Sequence, residues 1–92
     1  MNDYAYAVVL TLAQSPGMGY FVTCRDLPQL LVVGDDMADA FRKAEEALDL
    51  LLSVDLAENK RPPAPSPMRP GEYLAQPSAE TLALLIEYFG PG

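Results

Sequence analysis

From Asp3 to Gln14 the chain sets Tyr4, Tyr6, Val8, Leu10 and Leu12 against the intervening Ala5, Ala7, Val9 and Thr11. Period-two spacing in aromatic and β-branched residues predicts a strand. Both sets are largely apolar, so this strand should be central, with one face covered and the other partly covered. Ser15-Pro16-Gly17 marks a turn. The run Gly19–Cys24 is again aromatic and β-branched, which makes the pair an antiparallel hairpin. Asp26-Leu27-Pro28 interrupts, because Pro28 cannot donate to a ladder and holds Leu27 extended. Leu30–Val33 predicts a short third strand ending at Gly34.

The period then changes. Met37, Ala40, Phe41, Ala44, Ala47, Leu48 and Leu51 recur every three or four residues. They form one apolar stripe on a helix running to about Glu58. Asp35 or Asp36 would cap it by accepting a hydrogen bond from the first turn. Phe41, Ala44, Leu48 and Leu51 are expected beneath this helix, with Leu50 and Val54 off the stripe. Six of the nine prolines fall between residues 62 and 77, so that stretch reads as an extended connector. Glu72–Gln76 is a candidate strand. Ser78 then caps a last helix, with Leu82, Leu85, Ile86 and Phe89 on one face and Leu84 and Tyr88 elsewhere. The expected fold class is α+β: an antiparallel sheet of three or four strands with the main helix packed on one face, in the order β-β-β-α-β, and a short C-terminal helix. We divide the chain into a domain over residues 1–76 and a helical segment over 77–92.

Charge adds a functional direction. The chain of 92 residues carries six basic and thirteen acidic side chains, a net of −7. Residues 35–58 hold eight of the acids and two of the bases, so nearly all the excess belongs to the main helix. Clustered Lys and Arg are what phosphate neutralisation requires, so direct nucleic-acid binding by this chain is disfavoured. An anionic membrane surface is disfavoured for the same reason. No apolar run approaches the ~20 residues of a spanning helix. One cysteine, Cys24, suits a reducing cytosol. The expected location is cytoplasmic.

Candidate chemistry is sparse. The sequence has no histidine, which removes the commonest general base and the commonest metal ligand. Cys24 has only Arg25 nearby and reads as a structural strand-end thiol. Carboxylates alone hold magnesium in some nucleases, and Asp3, Asp26, Asp35 and Asp36 are the acids placed to converge at the sheet ends. Without a basic groove for the substrate, no catalytic residue, metal or cofactor is assigned. The solvent face of the main helix is either a solubility feature or a docking surface for a basic partner.

Four segments carry a family resemblance. Tyr20-Phe21-Val22-Thr23-Cys24-Arg25-Asp26-Leu27-Pro28 resembles the aromatic strand and Asp-Leu-Pro turn of HicB-like antitoxins. Val33-Gly34-Asp35-Asp36-Met37-Ala38-Asp39-Ala40 resembles their helix start. Ala44-Glu45-Glu46-Ala47-Leu48 and Pro63-Ala64-Pro65-Ser66 resemble the segments that follow, in the same order. Arg25 and Gln29 depart from the pattern, which has proline before the Asp-Leu-Pro turn and glycine after it. The resemblance implies a reduced ribonuclease H-like fold without catalytic acids. It implies a partner, a small basic HicA-like toxin that cleaves messenger RNA, and for many members a C-terminal operator-binding segment. No such segment follows the helix at 78–89, so operator DNA would be reached only through a segment not present here.

Under that reading the toxin-binding candidates are Asp35, Asp36, Asp39, Glu46 and Asp49. Leu50, Val54, Leu84 and Tyr88 are candidates for an oligomer interface, most simply a homodimer. The competing readings are an oligomerisation module of a transcription regulator and a magnesium-dependent nuclease.

Overall fold

The computed structural model describes residues 4–15 and 17–91. Its elements are β1 (Tyr6–Leu12), β2 (Tyr20–Cys24), β3 (Leu31–Gly34), α1 (Met37–Ala57), β4 (Tyr73–Ala75) and α2 (Ala79–Phe89). The four strands form one antiparallel sheet in the order β3-β2-β1-β4. β1 is thus central, as its two-sided apolar pattern requires. The β1–β2 hairpin pairs Val8 with Cys24 and Leu12 with Tyr20. Pro16 of the predicted turn and Asp3 lie outside the described residues.

Register sorts the strand residues into two faces. Tyr6, Val8, Val22, Cys24 and Ala75 point one way and join a single core with Ala40, Ala44, Leu48 and Leu52 of α1 and Leu85 of α2. Leu27 of the Asp-Leu-Pro turn, Leu30 just after it and Tyr4 ahead of β1 also join that core. Opposite them, Val9, Phe21, Leu31, Val33 and Leu74 point away from α1, interspersed with Thr11 and Thr23. Among the described residues, no helix packs on this second face, although Ala7 on it is fully buried.

Both helices start where expected. Asp36 accepts from the Asp39 N–H at 2.8 Å, and Ser78 accepts from the Thr81 N–H at 3.2 Å. α1 ends as Asn59 turns into the left-handed region at φ 57°. The buried stripe of α1 differs from the expected one. Leu52, absent from the predicted stripe, is fully buried, whereas Phe41 and Leu51 are half-buried and Met37 is exposed. The buried positions step by four from Ala40 through Ala44 and Leu48 to Leu52, where the expected stripe stepped to Leu51, and Leu85 of α2 joins the same core. Phe41 instead meets Tyr73 of β4 edge-on, with ring centroids 6.5 Å apart.

The proline-rich connector is fastened at several points. Tyr6 donates its hydroxyl to the Pro63 carbonyl at 2.7 Å, and burial pushes the Tyr6 phenol pKa well above its ordinary value. Asp26 accepts from both the N–H and the hydroxyl of Ser66, at 2.8 and 2.5 Å. Arg25 donates to both carboxylate oxygens of Glu72 and to the Pro67 carbonyl. Two of the segments that carry the resemblance, the Asp-Leu-Pro turn and the Pro-Ala-Pro-Ser run, are therefore the two halves of one clasp. Arg25, a departure from the family pattern, adds a second.

Glu72 gives this clasp a pH dependence. The Arg25 guanidinium, then the Arg69 N–H, hold its carboxyl at about 2, below the usual ~4.3. A depressed carboxylate pKa stabilises the fold above its unfolded value, and that contribution disappears as pH falls through the folded value. Stability is expected to decline between about pH 5 and pH 2. In denaturant titrations, Glu72→Gln should be less stable than wild type at neutral pH, with the gap closing towards pH 2. A gap that is constant with pH would assign the effect to lost packing.

Candidate functional site

The five acidic candidates gather at the start and along the solvent side of α1, but they are not equivalent. Asp36 is occupied as the N-cap. Asp39 accepts from the Asp35 N–H at 3.0 Å and pairs with Arg42 at 2.8 Å and Lys43 at 3.1 Å. These partners, the Asp35 N–H first, hold the Asp39 carboxyl far below the usual carboxylate range. Asp49 accepts from the Ser78 N–H at 2.8 Å. Burial pushes its carboxyl up, but the hydrogen bonds from Ser78 and Thr81 more than offset this, and its pKa lies below the ordinary value. Asp35, Asp36 and Glu46 are the exposed members, with Glu46 sharing Arg42 at 2.7 Å. Exposed helix-surface pairs of this kind are screened by water and contribute little, so a partner can displace them at little cost.

Sequence reasoning missed Glu45. It accepts from the Gln76 N–H at 2.9 Å, beside Asp49 and Ser78. The two carboxylates fasten the strand-to-helix junction at residues 76–78 onto α1. The junction and α1 enclose an open groove of about 520 Å³ lined by Arg42, Glu45, Glu46, Asp49, Gln76, Pro77 and Ser78. Three carboxylates against one guanidinium leave it net negative. The only sequence signal for Glu45 was its place in the acidic run. Its partner lies 31 residues away.

A second hollow, about 200 Å³, opens near the start of α1. It is lined by Leu10, Met37, Ala38, Phe41 and Tyr73 and is almost wholly apolar. An apolar hollow near exposed carboxylates suits a protein partner that offers both a basic and an apolar anchor.

Cys24 is buried in the core, and burial pushes its thiol pKa up. Among the described residues, no group of three or more Cys, Asp or Glu is close enough to hold a metal ion. Asp26, one of the acids considered for magnesium, is bonded to Ser66. No described helix is long and apolar enough to cross a membrane. Leu50, Val54, Leu84 and Tyr88 are all exposed, two on each helix.

Comparison with known proteins decides the family. Residues 5–82 match the model of the HicB-like antitoxin of bacterial toxin–antitoxin systems. The chain belongs to this family. It is 29% identical over 82 residues to proteins named Antitoxin HicB from two Escherichia coli strains. The match covers 87% of this chain and 59% of each relative, so the chain spans well under two thirds of the relatives' length. The matched region takes in the whole sheet, α1 and the acidic groove.

Proposed function

We propose that this antitoxin binds and neutralises a small, basic, HicA-like messenger-RNA-cleaving toxin, and that it docks through the solvent side of α1. The observation that carries this is the concentration of charge: a net of −6 over residues 35–58, against −1 for the rest of the chain. A ribonuclease that grips RNA must present positive potential, and an acidic helix competes for it. The protein acts by masking, without catalysis of its own, in the cytoplasm, where the messenger is. Asp35, Asp36, Asp39, Glu46 and Asp49 form the contact surface, with the groove beside Glu46 receiving a Lys or Arg side chain and the hollow at Phe41 an apolar one. The β-β-β-α-β order is consistent with a reduced ribonuclease H-like fold. Any autorepression would act through a DNA-binding segment outside residues 1–92.

Charge reversal tests the docking surface. Asp49 and Asp39 are committed to Ser78 and to the α1 N-terminus, so Asp35→Lys with Glu46→Lys is the cleaner double variant. Association with the toxin should slow roughly tenfold at low salt, with a smaller change in dissociation. The wild-type on-rate should fall as salt rises. Stopped-flow association against a salt series gives both numbers. An on-rate indifferent to salt and to the double variant would make the acidic helix a solubility feature.

A further inference from the structure

β1 outruns its neighbour β4: it has seven residues, and β4 has three. The Ala13 N–H donates to the Gly19 carbonyl at 2.9 Å, which fixes how the backbone groups of β1 alternate. Val9 and Thr11 direct theirs at β2, and Tyr6, Val8, Leu10 and Leu12 direct theirs at the other side. β4 meets Tyr6 and Val8 but begins at Tyr73, opposite Val8. Ahead of Tyr73 the chain turns away, with the Glu72 N–H donating to the Arg69 carbonyl at 3.1 Å and Gly71 at φ 85°. Among the described residues, nothing pairs with the outward N–H and C=O groups of Leu10 and Leu12. This open length, Val9–Leu12, holds neither the charge nor the proline that usually blunts an edge.

The apolar hollow lies against the same edge. Leu10 lines it together with Met37, Ala38 and Phe41 of α1 and Tyr73 of β4. Leu10 pairs with the core residue Val22, so Leu10 and Leu12 share the α1 side of the sheet, and Leu12 is 63% exposed. A strand laid along Leu10 and Leu12 would continue the line of β4 and turn every second side chain towards the hollow. Charge selects the occupant. Exposed Asp35 and Asp36 directly precede Met37 and Ala38 of the lining, and the first bases of α1, Arg42 and Lys43, are already paired with Asp39 and Glu46. A basic segment is attracted to this end of α1, whereas a second copy, itself at −7, is repelled.

We infer that the free edge of β1 at Leu10–Leu12 is a strand-addition site, along which the toxin lays an extended basic segment and seats an apolar side chain in the hollow at Phe41. The inference rests on the toxin reading and divides the work of binding. The acidic side of α1 supplies attraction and speeds encounter. The strand edge supplies directed main-chain hydrogen bonds, which hold the complex once formed.

Amide hydrogen exchange of the isotope-labelled full chain, alone and with the purified HicA-like toxin, tests it without any variant. The Leu10 and Leu12 amides are expected to exchange fast in the free chain and to slow by about tenfold or more in the complex, whereas Thr11, bonded to β2, is slow in both. Leu12→Pro removes a donor from the free edge and none from the β1–β2 ladder, so the sheet should still melt cooperatively. It should weaken toxin binding about tenfold, through faster dissociation, and leave the salt dependence of association in place. Leu12→Thr keeps the N–H and should bind like wild type. Toxin binding that leaves Leu10 and Leu12 unprotected overturns the inference, as does a folded Leu12→Pro that binds as tightly as wild type, and both leave docking by the acidic helix standing. Leu10 and Leu12 amides already protected in the free chain would put a second copy on the edge and overturn it too. A wild type that does not bind the toxin overturns the proposed function, and this inference falls with it.

Discussion

Gly34→Ala is expected to destabilise the fold by about 3 kcal/mol or more, at or beyond the upper end of overpacking costs. A Cβ built at Gly34 would stand 2.2 Å from the Ala40 backbone nitrogen and 2.4 Å from its Cα. These are backbone atoms of the first turn of α1, and they cannot swing aside as a flexible side chain would. α1 can approach the end of β3 this closely only because residue 34 has no side chain. Relieving the overlap means lifting the helix from the sheet and losing contacts along Ala40, Ala44 and Leu48 together. At ~4–8 °C per kcal/mol for a domain of this size, the midpoint should fall by more than ~12 °C. Gly71→Ala is the control. At φ 85° it pays a local conformational cost of ~1–2 kcal/mol, but a Cβ there meets nothing within 4 Å. If Gly34→Ala and Gly71→Ala melt alike, the close approach of α1 to β3 is wrong.

The second large effect is expected at Leu52. Leu52→Ala removes a fully buried side chain where α1, α2 and the sheet share one core. Buried Leu→Ala changes cost ~2–5 kcal/mol, and the cost grows with the cavity left behind. Leu52 is enclosed by elements that cannot all collapse onto it, so the upper half of that range is expected. Phe41→Ala would cost ~3–5 kcal/mol if the ring were fully buried. The ring is half-buried and lines the open hollow beside Tyr73, so its loss should cost less than that of Leu52. Urea denaturation with unchanged m-values measures both. The reverse ranking would mean that α1 is rotated about its axis relative to the position described.

The ranking of Leu52 and Phe41 shows where sequence reading stops. A helical stripe is set by 3.6-residue geometry, and the stripe through Ala40, Ala44 and Leu48 was visible. Leu52 continues that stripe by the same step of four, so its place was open to the same reading, which stepped to Leu51 instead; how fully each position is covered is a tertiary matter. The acidic candidates divide in the same way. Their positions on one helix were legible, but Asp49 and Glu45 turned out to be tied to backbone N–H groups 29 and 31 residues away.

What the sequence by itself determined was local. A period-two run marked the first strand, aromatic and β-branched or short apolar runs marked the others, the period of three or four marked the helices, Asp35-Asp36 and Ser78 marked their starts, and residues 35–58 held the excess charge. These signals need only neighbouring residues, because propensity, capping and side-chain spacing act within a turn or two. The tertiary structure decided which carboxylates stay free, and how Asp26 and Ser66, 40 residues apart, close over the proline-rich connector. It also brought Arg25 and Glu72, 47 residues apart, together at 3.0 Å on the side of the sheet away from α1. Strand order and register decide which residues share that side, because they line Val9 up with Thr23 and Leu31 and set Phe21 between Thr11 and Val33. No single strand, read alone, says which of its two faces the helix will cover.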